Sequence, residues 1–263
     1  MQYLFGAWNK LLPRLQEAQH VLLLSDFDGT LTPIVADPAN AVLTEETRKR
    51  LQTIALNKRY SVGVISGRSL TDLKNKVGVE GILYAGNHGL EIEGPGFQFI
   101  NAVAAEQADA IQLLGRELTT ALGKIKGVVI ENKGLTISVH YRAVADYDMS
   151  RLRRVFKRIT GPGLEAGRIV LTGGKKVYEV RPPVQWGKGE SVRWLIEKTE
   201  EKVKAAMSLL SIFMGDDLTD EGAFNEVEGS HGISIFVGSS RRHTGASYFV
   251  SEVSEVHRFL KML

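Results

Sequence analysis

Cysteine is absent from the 263 residues of this chain. Disulfides and thiolate metal sites are therefore excluded, and any bound metal has to be held by oxygen or imidazole. No segment is apolar for long enough to span a membrane. Residues 1–20 space Leu4, Phe5, Trp8, Leu11, Leu12 and Leu15 at helical intervals, interrupted by Asn9, Lys10 and Arg14. A secretory signal needs an unbroken apolar block and a small-residue cleavage site, so the stretch predicts an amphipathic helix packed on the domain, in a cytoplasmic protein. Excess charge is lacking too. The formal net charge of +3 suits a small anionic substrate and is too little to argue for nucleic acid. There is no low-complexity stretch and no internal repeat strong enough to name.

What is there is globular. Hydrophobic residues make up 43% and charged residues 24%, which indicates neither disorder nor a fibre. The length allows one large domain or two small ones with a real core. Apolar runs at 21–25, 60–65, 82–85, 209–214 and 232–236 read as strands buried on both faces of a parallel sheet. Residues 44–57 read as a helix capped by Thr44, with Thr47 three residues on and Leu51, Ile54 and Ala55 on one face. Another helix is expected to start near Ser69. Strands alternating with helices imply an α/β sheet with right-handed crossovers, whose ligands bind at the carboxyl ends of the strands. Four of the runs end in polar clusters: Asp26 and Asp28, Ser66 and Arg68, Asn87 and His88, Asp216 and Asp217. The fold is expected to bring them to one crevice.

The middle of the chain differs in texture. A helix over 103–122 precedes a segment in which Leu135, Ile137, Val139 and Tyr141 alternate with Thr136, Ser138, His140 and Arg142, the period of a half-buried antiparallel strand. A helix over 146–159 and strands near 168–171 and 176–181 complete an α-β-β-α-β-β unit. It reads as a small α+β domain, 104–183, inserted into a larger one formed by 1–103 and 184–263. Helices on one face of its sheet leave a polar face free to cover something.

Asp26-Phe-Asp28-Gly-Thr-Leu follows the first buried strand. Asp-x-Asp-Gly also occurs in calcium loops, which need an oxygen ligand at the fifth position and a glutamate at the twelfth. Thr30 and Asp37 stand there, and the preceding segment is a strand. Gly187-Lys188-Gly189 is not a nucleotide-binding loop, which needs Ser or Thr directly after the lysine. Together with Ser66 at a later strand end, Lys188, and Gly215-Asp216-Asp217 with Asp220, the first motif resembles the four motifs of the haloacid dehalogenase-like (HAD) phosphatases. The insertion falls where that superfamily carries its type C2 caps. Asp26 to Ile34, Ser66-Gly-Arg68, Gly86-Asn-His-Gly89, Glu131-Asn-Lys133, His140-Tyr-Arg142 and Gly215 to Glu221 are, more narrowly, similar to the trehalose-6-phosphate phosphatase family, from about Leu22 to Val237.

The resemblance implies a Rossmann-like HAD core with a cap, and a sugar phosphate, trehalose 6-phosphate, as substrate. It implies that Asp26 attacks phosphorus and forms an aspartyl phosphate. Asp28 protonates the leaving oxygen and then deprotonates water, for which a raised pKa is expected. Asp26, Asp28 through its backbone carbonyl, and Asp216 hold Mg2+. Ser66 and Lys188 hold the phosphate, and Asp217 and Asp220 orient Lys188 or metal-bound water. Arg68, Asn87, His88 and Gly89, and in the insertion Glu131, Lys133, His140 and Glu179, are the substrate-binding set. A trehalose-phosphate synthase is the partner it suggests, as a separate chain. Other sugar phosphates (glucosylglycerol, mannosylglycerate or sucrose phosphate) fit the same chemistry. A non-catalytic sugar-phosphate sensor is disfavoured because both Asp26 and Asp28 are present. Outside the resemblance, His88 also reads as a structural histidine, Glu131, Lys133, His140 and Arg142 as the wet face of a sheet, and Arg241 and Arg242 as solvated surface.

Overall fold

Seven residues in a row, His20–Asp26, are buried, as a strand covered on both faces must be. The computed structural model that contains this strand describes residues 1–35, 37–174, 176–203 and 208–263. The chain forms two units, Met1–Phe99 with Trp186–Leu263, and Ile100–Gln185.

The first unit begins with β1 (Gln2–Tyr3), α1 (Trp8–Glu17), β2 (His20–Asp26), α2 (Glu45–Leu56), β3 (Tyr60–Ile65), α3 (Leu70–Val77), β4 (Leu83–Gly86), β5 (Glu91–Gly94) and β6 (Phe97–Ile100). The second unit holds α4 (Ala102–Leu122), β7 (Val129–Asn132), β8 (Ile137–His140), α5 (Asp146–Glu165), β9 (Val170–Gly174) and β10 (Val177–Arg181). The chain then completes the first unit with α6 (Lys188–Lys202), β11 (Leu209–Gly215), α7 (Glu221–Gly229), β12 (Ile233–Val237), β13 (Tyr248–Val250) and α8 (Val253–Met262).

The large sheet runs β1-β13-β12-β11-β2-β3-β4-β5-β6, parallel from β1 to β4, with β5 antiparallel to β4. Alternate residues of β2 feed two cores: Val21 and Leu23 pack with Leu51 and Ile54, while Leu22 and Leu24 pack with Val192 and Leu195. Thr44 caps α2 by accepting from the Thr47 N–H, and Ser69 caps α3 by accepting from that of Asp72. The expectation of one helix over residues 1–20 is corrected at its start. Gln2 and Tyr3 pair with Tyr248 and Phe249 as an edge strand, and the helix begins only at Trp8. Sheet pairing, which no local periodicity reports, wins there. Strands β5, β6 and β13 were not expected for the same reason.

The second unit is an antiparallel sheet in the order β7-β8-β10-β9. Ile111 and Leu118 of α4 and Leu152 and Phe156 of α5 pack on Ile137, Val139 and Val180. Its opposite face differs from the alternation pattern, because Thr136 and Ser138 are buried rather than wet. Ser138 is paired with Glu131 on one side and Glu179 on the other, and Lys133 reaches both carboxylates, so longer side chains lie over the small one.

Candidate active site

Strand register assembles the centre. Asp26 ends β2 opposite Ile65, so Ser66 follows at the neighbouring strand end. On the other side Met214 pairs with Ser25, which brings Gly215 and Asp216 alongside Asp26. Gly29 turns the chain with φ of +90°, and a Cβ there would lie 2.2 Å from an Asp216 carboxylate oxygen. Only glycine allows that approach. Thr30 donates to Asp216 Oδ1 at 3.2 Å. Lys188, the first residue of α6, sends its ammonium to Asp26 Oδ1 and to Asp220 Oδ1, each at 2.7 Å.

Asp26, Asp220 and Lys188 are nearly inaccessible, and carboxylate oxygens of Asp26, Asp216 and Asp220 lie within 4.8 Å of one another. Burial pushes the Asp26 carboxyl up, Lys188 pulls it back, and Asp220 and Asp216 add to the rise. Burial and the neighbouring Asp220 push Asp216 up to about 6. Burial opposes the charge on Lys188, but Asp220 and Asp26 outweigh it and hold its pKa above the usual value. Once ionised, three carboxylates facing one ammonium leave two negative charges in excess. An all-oxygen donor set with unneutralised charge is what a hard divalent cation requires. Asp220 is the most committed of the three, since its other oxygen accepts from the N–H groups of Asp216 and Asp217. Asp26 and Asp216 are the more available ligands.

Asp28 is held by an arginine. Both of its oxygens accept from Arg68, at 2.7 Å from Nε and 2.7 Å from Nη2. Arg68 also donates to Asp72 and to the Pro38 carbonyl. Burial disfavours the guanidinium charge, but Asp28 and Asp72 more than compensate and raise its pKa. Arg68, expected on substrate, spends its donors on Asp28, Asp72 and Pro38. Asp72 and Pro38 had no signal in the motifs.

Asp217 is exposed and accepts from the Thr219 N–H, closing a turn, while Lys188 donates to Asp220 and Asp26. One further expectation is corrected. Arg242 is not free surface, because its guanidinium donates to the Asp216 carbonyl at 2.9 Å and lies over Phe236. Arg241 is exposed.

Asn87, His88 and Gly89 form a turn with φ of 50°, 57° and 88°. The Asn87 and His88 N–H groups donate to the Arg68 and Ser66 carbonyls, tying the turn to the Ser66 strand end. Asn87 is buried and donates to Glu91. A Cβ on Gly67 would meet the His88 imidazole at 2.7 Å, and one on Gly89 would meet Ser191 Oγ at 1.7 Å. Ser191 donates to the His88 carbonyl and Trp186 to that of Gly89. These two anchors gave no sequence signal.

In the second unit the expected polar set gathers on one sheet face. Lys133 lies 3.9 Å from both Glu131 and Glu179, and His140 Nε2 lies 3.5 Å from Glu131. Thr172 donates to Glu179 at 3.2 Å, extending the row across β9. Arg142, beyond the end of β8, is exposed.

The trehalose-phosphatase family model matches residues 24–254. Trehalose-phosphate phosphatase B of Arabidopsis thaliana is 31% identical over 257 residues, covering 94% of this chain and 67% of that protein. A Mycobacterium tuberculosis protein described as an uncharacterized glycosyl hydrolase is 36% identical over 256 residues, and this chain spans only 19% of its length. The trehalose-6-phosphate phosphatase C-terminal domain of Candida albicans superposes with a TM-score of 0.75, covering 97% of this chain and 95% of that one at 24% identity. This last likeness bears on the fold alone, a mainly parallel α/β core.

Proposed function

The chain belongs to the trehalose-phosphatase family, and from that premise we infer that it hydrolyses trehalose 6-phosphate to trehalose and inorganic phosphate. The observation that carries the chemistry is the buried Asp26–Lys188–Asp220 ion triad beside Asp216. An oxygen of Asp26 attacks phosphorus and the bond from phosphorus to the sugar oxygen breaks, leaving an acyl phosphate on Asp26. Asp28 gives the departing sugar oxygen a proton. It then takes one from the water that attacks the acyl phosphate, and inorganic phosphate and free Asp26 result. For the first step Asp28 has to exchange its hold on Arg68 for a proton. Lys188 and Ser66 balance and orient the charge on the transferred group.

Asp26 and Asp216, with the backbone carbonyl of Asp28, would hold magnesium. When bound, the ion supplies charge neutralisation between nucleophile and phosphate. The row Glu131, Lys133, His140 and Glu179 carries the donors and acceptors that a hydroxyl-rich disaccharide needs, and we assign it to sugar selection. The test is phosphate release from trehalose 6-phosphate against glucose 6-phosphate and sucrose 6-phosphate, with Asp26→Asn as control. Equal turnover of all three would refute the assigned substrate but leave the phosphatase chemistry standing. Turnover by the control would refute the chemistry.

A further inference from the structure

At the end of the large sheet away from Asp26 lies a partly open pocket of about 380 Å³. That lies within the range of small-molecule sites, roughly 300–1,000 Å³. It sits beneath the amino ends of β2, β3 and β4, where His20, Ser61 and Leu83 form its floor. Leu195 and Lys198 from α6 and Phe97 from the β5–β6 hairpin form the walls, and Lys58 and Lys202 stand at the rim. All belong to the first unit, and none takes part in the site described above.

The charge of this lining is one-sided. It includes Lys58, Lys198, Lys202 and His20, and no aspartate or glutamate among the described residues. Lys198 pairs with Glu201 on its outer side, whereas Lys58 and Lys202 have no ion pair among the described residues. Lysines at helix ends can serve only to offset helix dipoles. Here α2 and α6 both end at the cavity, and each contributes about half a negative charge. With Lys198 balanced by Glu201, the two ends offset about one of the two remaining ammonium charges, and positive potential remains. His20 is buried and hydrogen-bonded to Ser61 at 2.9 Å. Burial, and secondarily Lys202, lower its pKa. A neutral imidazole therefore waits beside unmatched cations, against the apolar walls of Phe97, Pro95 and Leu195.

We propose that this cavity is a second ligand site, taking a small molecule with a phosphate or carboxylate group on an apolar or ring-shaped body. The anion meets Lys58 and Lys202 and draws a proton onto His20, while the ring lies against Phe97 and Pro95. The assignment does not depend on the substrate of the Asp26 centre.

Phenylphosphonate is a suitable probe, because its carbon–phosphorus bond cannot be hydrolysed as an ester. His20 would be followed by NMR of its imidazole, identified by its loss in His20→Asn. Saturating probe should raise the His20 midpoint by about half a pH unit or more, because a nearby anion favours the charged ring. Lys58→Gln with Lys202→Gln should remove that response, while the amide spectrum and turnover stay as in the parent. The probe also competes at the catalytic centre, and inhibition measured in parallel reports that binding separately. A His20 resonance unmoved at concentrations that fully inhibit turnover overturns the proposal. So does an equal response in the double variant.

Discussion

The Lys188 ammonium bridges Asp26 and Asp220 at 2.7 Å to each, although the three residues come from a strand end, a helix start and a turn. Among the described residues it is the ammonium that the clustered carboxylates of Asp26 and Asp220 share. Lys188→Gln should lower kcat by about a hundred-fold or more. It should also destabilise the metal-free fold by about 3–5 kcal/mol, the cost of removing one member of a buried ion pair. Steady-state kinetics and chemical denaturation check the two parts. A stable, active variant would show that Lys188 is merely buried.

Asp26 and Asp28 are expected to separate by mutation. Asp26→Asn should abolish turnover, because an amide is neither a competent nucleophile nor an anionic ligand. Asp28→Asn should lower kcat by about a hundred-fold or more with little change in KM. Arg68→Ala should destabilise the fold by about 2 kcal/mol, since it strands Asp28 and Asp72; the figure is discounted because both carboxylates are partly exposed. A loss in Asp28→Asn confined to KM would contradict its part in proton transfer.

Asp216 makes the metal-free fold pH-sensitive. Its carboxyl titrates near 6 when folded and near 3.9 when unfolded. Between those values the folded protein binds more protons, so this group's contribution to stability falls as pH rises from about 4 through about 6. A divalent cation at the carboxylates relieves the same repulsion. The gain in Tm on adding magnesium should therefore be larger at about pH 7.5 than at about pH 5. Equal gains at both pH values would argue that magnesium binds elsewhere.

The polar row of the second unit should govern selectivity. An unmatched buried polar group costs ~1–3 kcal/mol. Truncating Glu131, His140 or Glu179 to alanine should accordingly lower kcat/KM for trehalose 6-phosphate by about ten- to a hundred-fold. The value for p-nitrophenyl phosphate, which offers no disaccharide, should change far less. Parallel losses on both esters would mean that the row only stabilises its sheet.

The strands that carry the site were legible because each is a mostly apolar run that stops at a polar residue. Asp26, Ser66 and Asp216 stand at or just past the ends of such runs, where the strands are buried. Thr44 and Ser69 were legible as caps because capping depends on residues three apart. Pairing between distant segments leaves no such local trace. The edge strand at Gln2 and Tyr3, the anchors Trp186 and Ser191, and the grip of Arg242 on Asp216 all depend on it. Asp28 and Asp217 make the same point from within the motifs. Each stands two residues or fewer from a residue of the carboxylate cluster, yet one is clasped by Arg68 and the other closes an exposed turn. Residue type and strand period determined which groups stand at the strand ends. Which of them face one another was decided by sheet order, turn geometry and competition for partners, because hydrogen bonds and ion pairs form between neighbours in space.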